Sequence, residues 1–488
     1  MNNEINKVQV LNGLFWKLME RGGTQGIQFV VQIVLARLLL PKDYGLIALV
    51  IIFTSIASVF VQSGFNTSLI QKKDADESDF SSVFYLSLLI AIVLYIVLFF
   101  TAPFLAEFYE EPRLIPVFRV LSITLFFGAF NSIQNAVIAR KMQFKKLFFS
   151  STGAILISGT GGMCMAYAGF GVWALVGQQI CNQLLITLIL WFTVNWRPRL
   201  LFSIERVKGL FSFGWKLLAS SLIDTLYMNL RSLIIGKIYN PAMLGFYNRG
   251  DQFPALIVSN ITGSIQSVML PVLSSQQDNR KRVKDMLRRA IVTSSFIIFP
   301  MMVGLAVTAE PLVKILLTDK WLPCVPFLQI FCASYALWPI HTANLQAINA
   351  LGRSDIFLKL EIIKKIVGLS ILTVTVFYGV YAIALGAVPG GIICSFINAY
   401  PNKKLLNYSY IEQCKDILPS LLLSLLMGAV VYSIQWLGMS VWTTLLLQVF
   451  VGIVIYSGLA WMFKLECYNY LLTTLTDIFI RGKGKADK

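Results

Sequence analysis

Histidine occurs once in this chain, at position 341, and charged residues make up only 13% of 488. A lone histidine two residues after Pro339 reads as a hydrogen-bonded structural group, not a proton relay. The seven cysteines form no CxxC pair, so neither a disulfide framework nor a metal framework is expected, and thiols inside apolar segments read as small packing residues. No GxxxxGK[ST] sequence occurs, so no ATPase is expected within the chain. The N-terminus lacks a small-residue cleavage site after a short apolar core, and its first apolar segment is read as a retained helix. Acids are scarce too, 24 against 41 lysines and arginines.

Apolar sequence fills the space. The chain is 57% hydrophobic with a mean hydropathy of +0.71, too apolar for a soluble core with a hydrated surface. Fourteen segments are long enough to cross about 30 Å of hydrocarbon as helices: 14–39, 44–69, 80–106, 114–139, 147–168, 171–194, 210–236, 242–270, 287–308, 323–350, 356–378, 379–400, 417–436 and 441–463. The fold expected is an all-α polytopic membrane protein. With the N-terminus inside, cytoplasmic stretches and their flanks carry 29 of the 41 basic residues, while the opposite loops carry five, Lys42, Arg113, Lys237, Lys314 and Lys320. That asymmetry predicts both termini in the cytoplasm. The formal charge of +17 then reports insertion and contact with anionic lipid, not nucleic acid.

The chain also repeats itself. Trp16-Lys17-Leu18 returns as Trp215-Lys216-Leu217, and Pro41 with Gly45 returns as Pro241 with Gly245. Gln134 pairs with Gln346, and GVWALVG from Gly171 with GVYAIALG from Gly379, so the offsets run from 199 to 212. Such duplication builds many secondary transporters. The expected division is an N-terminal lobe at 1–194, a basic amphipathic connector at 195–209 on the cytoplasmic surface, and a C-terminal lobe at 210–400. Two unmatched helices at 401–463 and a basic tail at 464–488 follow. Six crossings per copy put the pseudo-twofold axis along the membrane normal. Pro254, Pro300, Pro339 and Pro389-Gly390-Gly391 interrupt apolar segments and are expected to bend them. The glycines from Gly153 to Gly169 suit close approach of a neighbouring helix.

Apart from Arg288, Arg289, Lys359, Lys364 and Lys365, counted with the cytoplasmic flanks, seven basic residues fall inside the apolar segments: Lys17, Arg21, Arg37, Arg119, Lys216, Arg231 and Arg249. Each costs roughly 2.5–3.5 kcal/mol at the bilayer centre unless it meets a partner or water. Lys17, Lys216, Arg37 and Arg119 lie near helix ends, where long side chains can snorkel. Leaving aside Glu361 among those flanking lysines, three acids share these segments, Glu20, Asp224 and Asp251. Lys17, Glu20 and Arg21 make one polar face of the first helix, and Asp224 and Arg231 share a face two turns apart. Two readings stay open for the group: buried ion pairs that fasten helices, or a cationic cavity. The excess of bases over acids favours an anionic ligand, and arginine suits phosphate oxygens.

Three stretches carry a family likeness: ARLLLPKDYGLIAL from Ala36, QSGFNTSLIQ from Gln62 and GVWALVGQQ from Gly171. The chain resembles, along its whole length, bacterial polysaccharide flippases, the polysaccharide transporter branch of the multidrug/oligosaccharidyl-lipid/polysaccharide exporter superfamily, and within it the colanic-acid and O-antigen exporters. The resemblance implies transfer of undecaprenyl-pyrophosphate-linked glycan across the bacterial inner membrane by alternating access. On that basis Arg21, Arg231 and Arg249, with Lys17 and Lys216, are the candidate pyrophosphate contacts. Glu20, Asp224 and Asp251 are candidates for coupling or gating. Membrane lipids and the polysaccharide polymerase machinery are the further partners implied; no catalytic residue, metal or cofactor is expected, and a coupling proton or sodium ion is left open. The alternatives are a multidrug exporter of the same superfamily, disfavoured by a cavity rich in bases, a glycan-assembly enzyme, disfavoured by short outward loops, and a membrane scaffold.

Overall fold

A computed structural model describes residues 7–62, 65–72, 75–469 and 473. The chain forms two compact units that meet between Gly245 and Phe246. The helices of the first are α1 (Lys7–Leu38), α2 (Pro41–Gln62), α3 (Phe65–Gln71), α4 (Glu77–Phe108), α5 (Leu114–Leu121), α6 (Thr124–Arg140), α7 (Phe144–Tyr167), α8 (Val172–Thr193) and α9 (Ile204–Ile238). α10 (Pro241–Ser274) runs into the second unit, which continues with α11 (Arg280–Val307), α12 (Ala309–Leu317), α13 (Val325–Ala336), α14 (Trp338–Ala350) and α15 (Ser354–Thr375). α16 (Val380–Leu385), α17 (Ala387–Leu406), α18 (Tyr410–Ser433) and α19 (Val441–Met462) complete it. Helix makes up most of the described residues in each of the fourteen apolar segments, and ten helical stretches among the described residues are long and apolar enough to span a membrane. The remaining long helices, α1, α9, α10 and α15, all carry charges within their apolar runs.

In the first unit α1 packs along α7, and α7 along α8. Glycine permits this: a side chain on Gly159 would meet Val31 of α1, and one on Gly162 would meet Gln178 of α8. The glycine stripe therefore serves packing on both sides of α7. α4 starts at a capping box, in which Asp76 accepts from the Asp79 amide and Asp79 accepts from the Asp76 amide, so two otherwise orphaned donors are satisfied. Leu69, Phe84, Ile133, Leu190 and Trp196 form a core between α3, α4, α6 and α8.

On either side of the second apolar segment's undescribed residues, α2 is described to Gln62 and α3 from Phe65. The connector is not helical through 195–203. Its backbone is pinned instead, with the Arg199 and Ser203 amides donating to Ser81 and Ser82 at 3.1 and 3.0 Å. Fully buried serines at the head of α4 supply acceptors that a helix would have found within itself.

In the second unit α11 packs against α13, α14 and α18, and α14 against α17. Pro339 and Pro389 do not kink continuous helices. Each sits in the first turn of a new one, α14 and α17, where a missing amide costs nothing. Pro254 and Pro300 do lie inside α10 and α11. His341 is held as its sequence position suggests: Nε2 donates to the Gly391 carbonyl at 3.1 Å, and Nδ1 accepts from Asn398 at 3.2 Å. Beside it, Asn344, Asn402 and Gln413, all fully buried, bind one another at 2.7–3.1 Å. Most of the basic tail lies outside the described residues.

Candidate functional site

The candidate basic residues have different surroundings. Lys17, half exposed, bonds Glu20 at 2.9 Å one turn on and faces the Phe144 ring of α7. Its charge is therefore locally balanced. Arg119 is also accounted for: its guanidinium lies 4.1 Å from the Phe99 ring and donates to the Phe99 carbonyl at 3.3 Å. Arg21 and Lys216 are exposed and Arg231 is half-buried. None of these three makes a hydrogen bond or ion pair among the described residues.

Arg249 belongs to the second unit and is buried, 4% exposed. It donates to Gln252 at 2.6 Å, and its guanidinium carbon lies 5.1 Å from the Trp321 ring centroid. Gly250 makes this arrangement reachable, because a side chain there would press within 2.6 Å of Phe327 and 2.8 Å of the Leu328 amide. α10 can thus lie close against the start of α13. Asp224 is exposed and Asp251 half-buried, and each has a polar or electrostatic interaction of its own.

Sequence reasoning missed two ionic clusters, both in the first unit. In one, Asp79, fully buried, takes Lys72 at 2.7 Å and Arg206 at 3.4 Å, while Arg206 also bonds Asp76 at 2.6 Å. In the other, Glu111 bonds Lys42 at 2.8 Å and Arg113 at 2.9 Å, Arg113 reaches Asp43 at 3.4 Å, and Lys237 reaches Glu110 at 3.3 Å. Burial pushes the Glu111 carboxyl up, but hydrogen bonds from Arg113 and Lys42 outweigh it and hold the group below the usual range. These residues sit at helix ends and turns, so no apolar-run argument singled them out. The available signal was charge pairing between the 41–43 and 110–113 turns.

Residues 34–326 match the polysaccharide biosynthesis protein family. The chain belongs to that family. It is 22% identical to the succinoglycan biosynthesis transport protein ExoT of Rhizobium meliloti, over 86% of this chain and 83% of the relative. It is 23% identical to the lipopolysaccharide biosynthesis protein WzxC of Escherichia coli, over 86% and 88%. Among solved structures, the lipid II flippase MurJ in an inward closed conformation superposes with a TM-score of 0.77 at 17% identity, covering 94% of this chain and 100% of that one. An inward-facing MATE transporter superposes at 0.61 and 15%, over 78% and 94%. The family resemblance read in the sequence is thus established, and the fold is the MurJ and MATE fold.

Proposed function

We propose that this protein moves undecaprenyl-pyrophosphate-linked oligosaccharide units from the cytoplasmic to the periplasmic leaflet of the inner membrane, with both of its termini in the cytoplasm. Membership of a polysaccharide biosynthesis family sets the pathway class. One observation carries the substrate class: Arg21, Lys216 and Arg231 lie in long apolar helices with no hydrogen bond or ion pair among the described residues. Basic groups at membrane depth demand compensation, and a pyrophosphate supplies several acceptor oxygens matched to guanidinium donors. Lys17 would join them by exchanging Glu20 for phosphate. Arg249 already has a neutral partner and a ring face, and in this reading it anchors α10 in place of binding the ligand.

A cationic drug would meet repulsion from the same groups, which weighs against the multidrug alternative. Glu20, Asp224 and Asp251 would reset the cycle by competing for the bases or by taking a coupling cation.

Leaflet-resolved mass spectrometry of polyprenyl-pyrophosphate glycans tests this in depleted cells complemented with wild type, Arg21→Ala or Arg231→Ala. Inner-leaflet accumulation of a single repeat unit, relieved by wild type and not by the variants, is expected. Absence of accumulation in cells that make such glycans and lack a second exporter would overturn the reading.

A further inference from the structure

A further repeated motif lies inside the apolar helices. Phe99-x-x-x-Pro103 of α4 returns 197 residues on as Phe296-x-x-x-Pro300 of α11, in the third apolar segment of each copy. Proline has no amide hydrogen, so in each helix the phenylalanine carbonyl one turn back loses its usual donor. Hydrocarbon offers no water to replace it, and the carbonyl must find a donor within the protein. Both do, from a side chain on another helix. Arg119 of α5 donates from Nε to the Phe99 carbonyl at 3.3 Å, with its guanidinium carbon 4.1 Å from the ring centroid of the same residue. Tyr456 of α19 donates its hydroxyl to the Phe296 carbonyl at 2.8 Å, with its ring 5.0 Å from the Phe296 ring, and Phe296 and Tyr456 are both buried. In each helix one side chain covers the ring and satisfies the carbonyl of the residue that proline has deprived.

We propose that Arg119 and Tyr456 are positioning residues with one job, each standing in for the amide that a proline removes, and that α19, which lies outside the repeat, supplies the second copy with the donor that the first takes from α5. A phenol does in α11 what a guanidinium does in α4, so the job calls for a donor and not for a charge. Arg119, one of the bases at membrane depth, is thereby accounted for without an anion. The second copy has no such donor in the matching place. α12 follows α11 as α5 follows α4, but its base, Lys314, pairs with Glu310 at 2.8 Å one turn away on α12 itself. α19 packs against α11, α12 and α18 and brings Tyr456 to the vacant carbonyl instead. The course of each helix at its proline therefore depends on a neighbour, α4 on α5 and α11 on α19. An alanine at either proline would return the missing amide and make the helix self-sufficient.

Thermal unfolding of the full chain in detergent tests this through two mutant cycles. Arg119→Met and Tyr456→Phe remove the donor and keep most of the bulk, and each should lower the melting temperature by about 2–4 °C. In the Pro103→Ala and Pro300→Ala backgrounds, where the backbone again offers an amide, the same substitutions should lower it by less than half as much. Arg119→Gln places an amide nitrogen as many bonds from the backbone as Nε, and should melt close to wild type although the charge is gone. Equal losses in the proline and alanine backgrounds would overturn the proposal, because the side chains would then act by packing or charge alone. An Arg119→Gln variant as unstable as Arg119→Met would overturn it for the first copy. If Tyr456→Phe yields no folded protein, adding Pro300→Ala should restore folding, and failure to do so counts against the proposal for the second copy.

Discussion

Gly45 lies against the backbone of Pro241 with no room for even a methyl group between them. Gly45→Ala must therefore force the turns apart at the ends of α2 and α10. The expected outcome is a folded, monodisperse protein that melts several degrees below wild type. Gly161→Ala, where nothing lies within 4 Å, should not lower the melting temperature and serves as the control.

Arg249 and Arg231 separate stability from transport. Arg249→Met removes the bond to Gln252 and the cation over Trp321, and is expected to lower stability by roughly 2–3 kcal/mol. Arg231→Ala, half-buried and without a bonded partner among the described residues, should leave thermal stability within about 0.5 kcal/mol and abolish export. Thermal unfolding in detergent alongside glycan export checks both. A stable Arg249→Met that fails to export would move this residue back among the substrate contacts.

The Glu111 cluster predicts a pH dependence. A carboxyl held low by Arg113 and Lys42 contributes stability that is complete above its ordinary pKa, about 4.3, and is lost as pH falls through its lower folded value. The difference in melting temperature between wild type and Glu111→Gln should accordingly be constant from about pH 6 to 7 and shrink below about pH 4. A difference that grew on acidification would contradict this sign.

Hydropathy located the long helices because each must present apolar side chains to lipid along its whole length. Its failures have local causes. The break between α5 and α6 at Ser122 and Ile123 falls in unbroken apolar sequence and left no compositional mark. The pinning of the connector's backbone left no local mark either, because the serines that hold it lie over a hundred residues earlier. Counting intramembrane charges brought Lys17, Arg21, Lys216, Arg231 and Arg249 forward together, since sequence reports depth and not partners. Only coordinates separate Arg249, buried over Trp321, from Arg231, which has no bonded partner among the described residues. The Pro41 and Pro241 repeat was visible at once, yet the contact of Gly45 with Pro241 was not, because a repeat fixes equivalence and leaves distance undefined.

The fully buried amides of the second unit give the final prediction. Asn344 donates to Gln413 and to the Ile340 carbonyl, and accepts from Asn402 and Gln413, all within 3.1 Å. Replacing it with leucine strands two fully buried amides, and should cost about 2–4 kcal/mol. The triple variant Asn344→Leu, Asn402→Leu, Gln413→Leu removes the stranded groups together. It should be more stable than the single variant, because orphaned polar atoms cost more than absent ones. Denaturant unfolding of the detergent-solubilised protein distinguishes the two orders of stability. A triple variant less stable than Asn344→Leu alone would mean that these amides also satisfy neighbours beyond one another, with the Asn344 carbonyl, which accepts from Asn402 at 3.4 Å, the first group to examine.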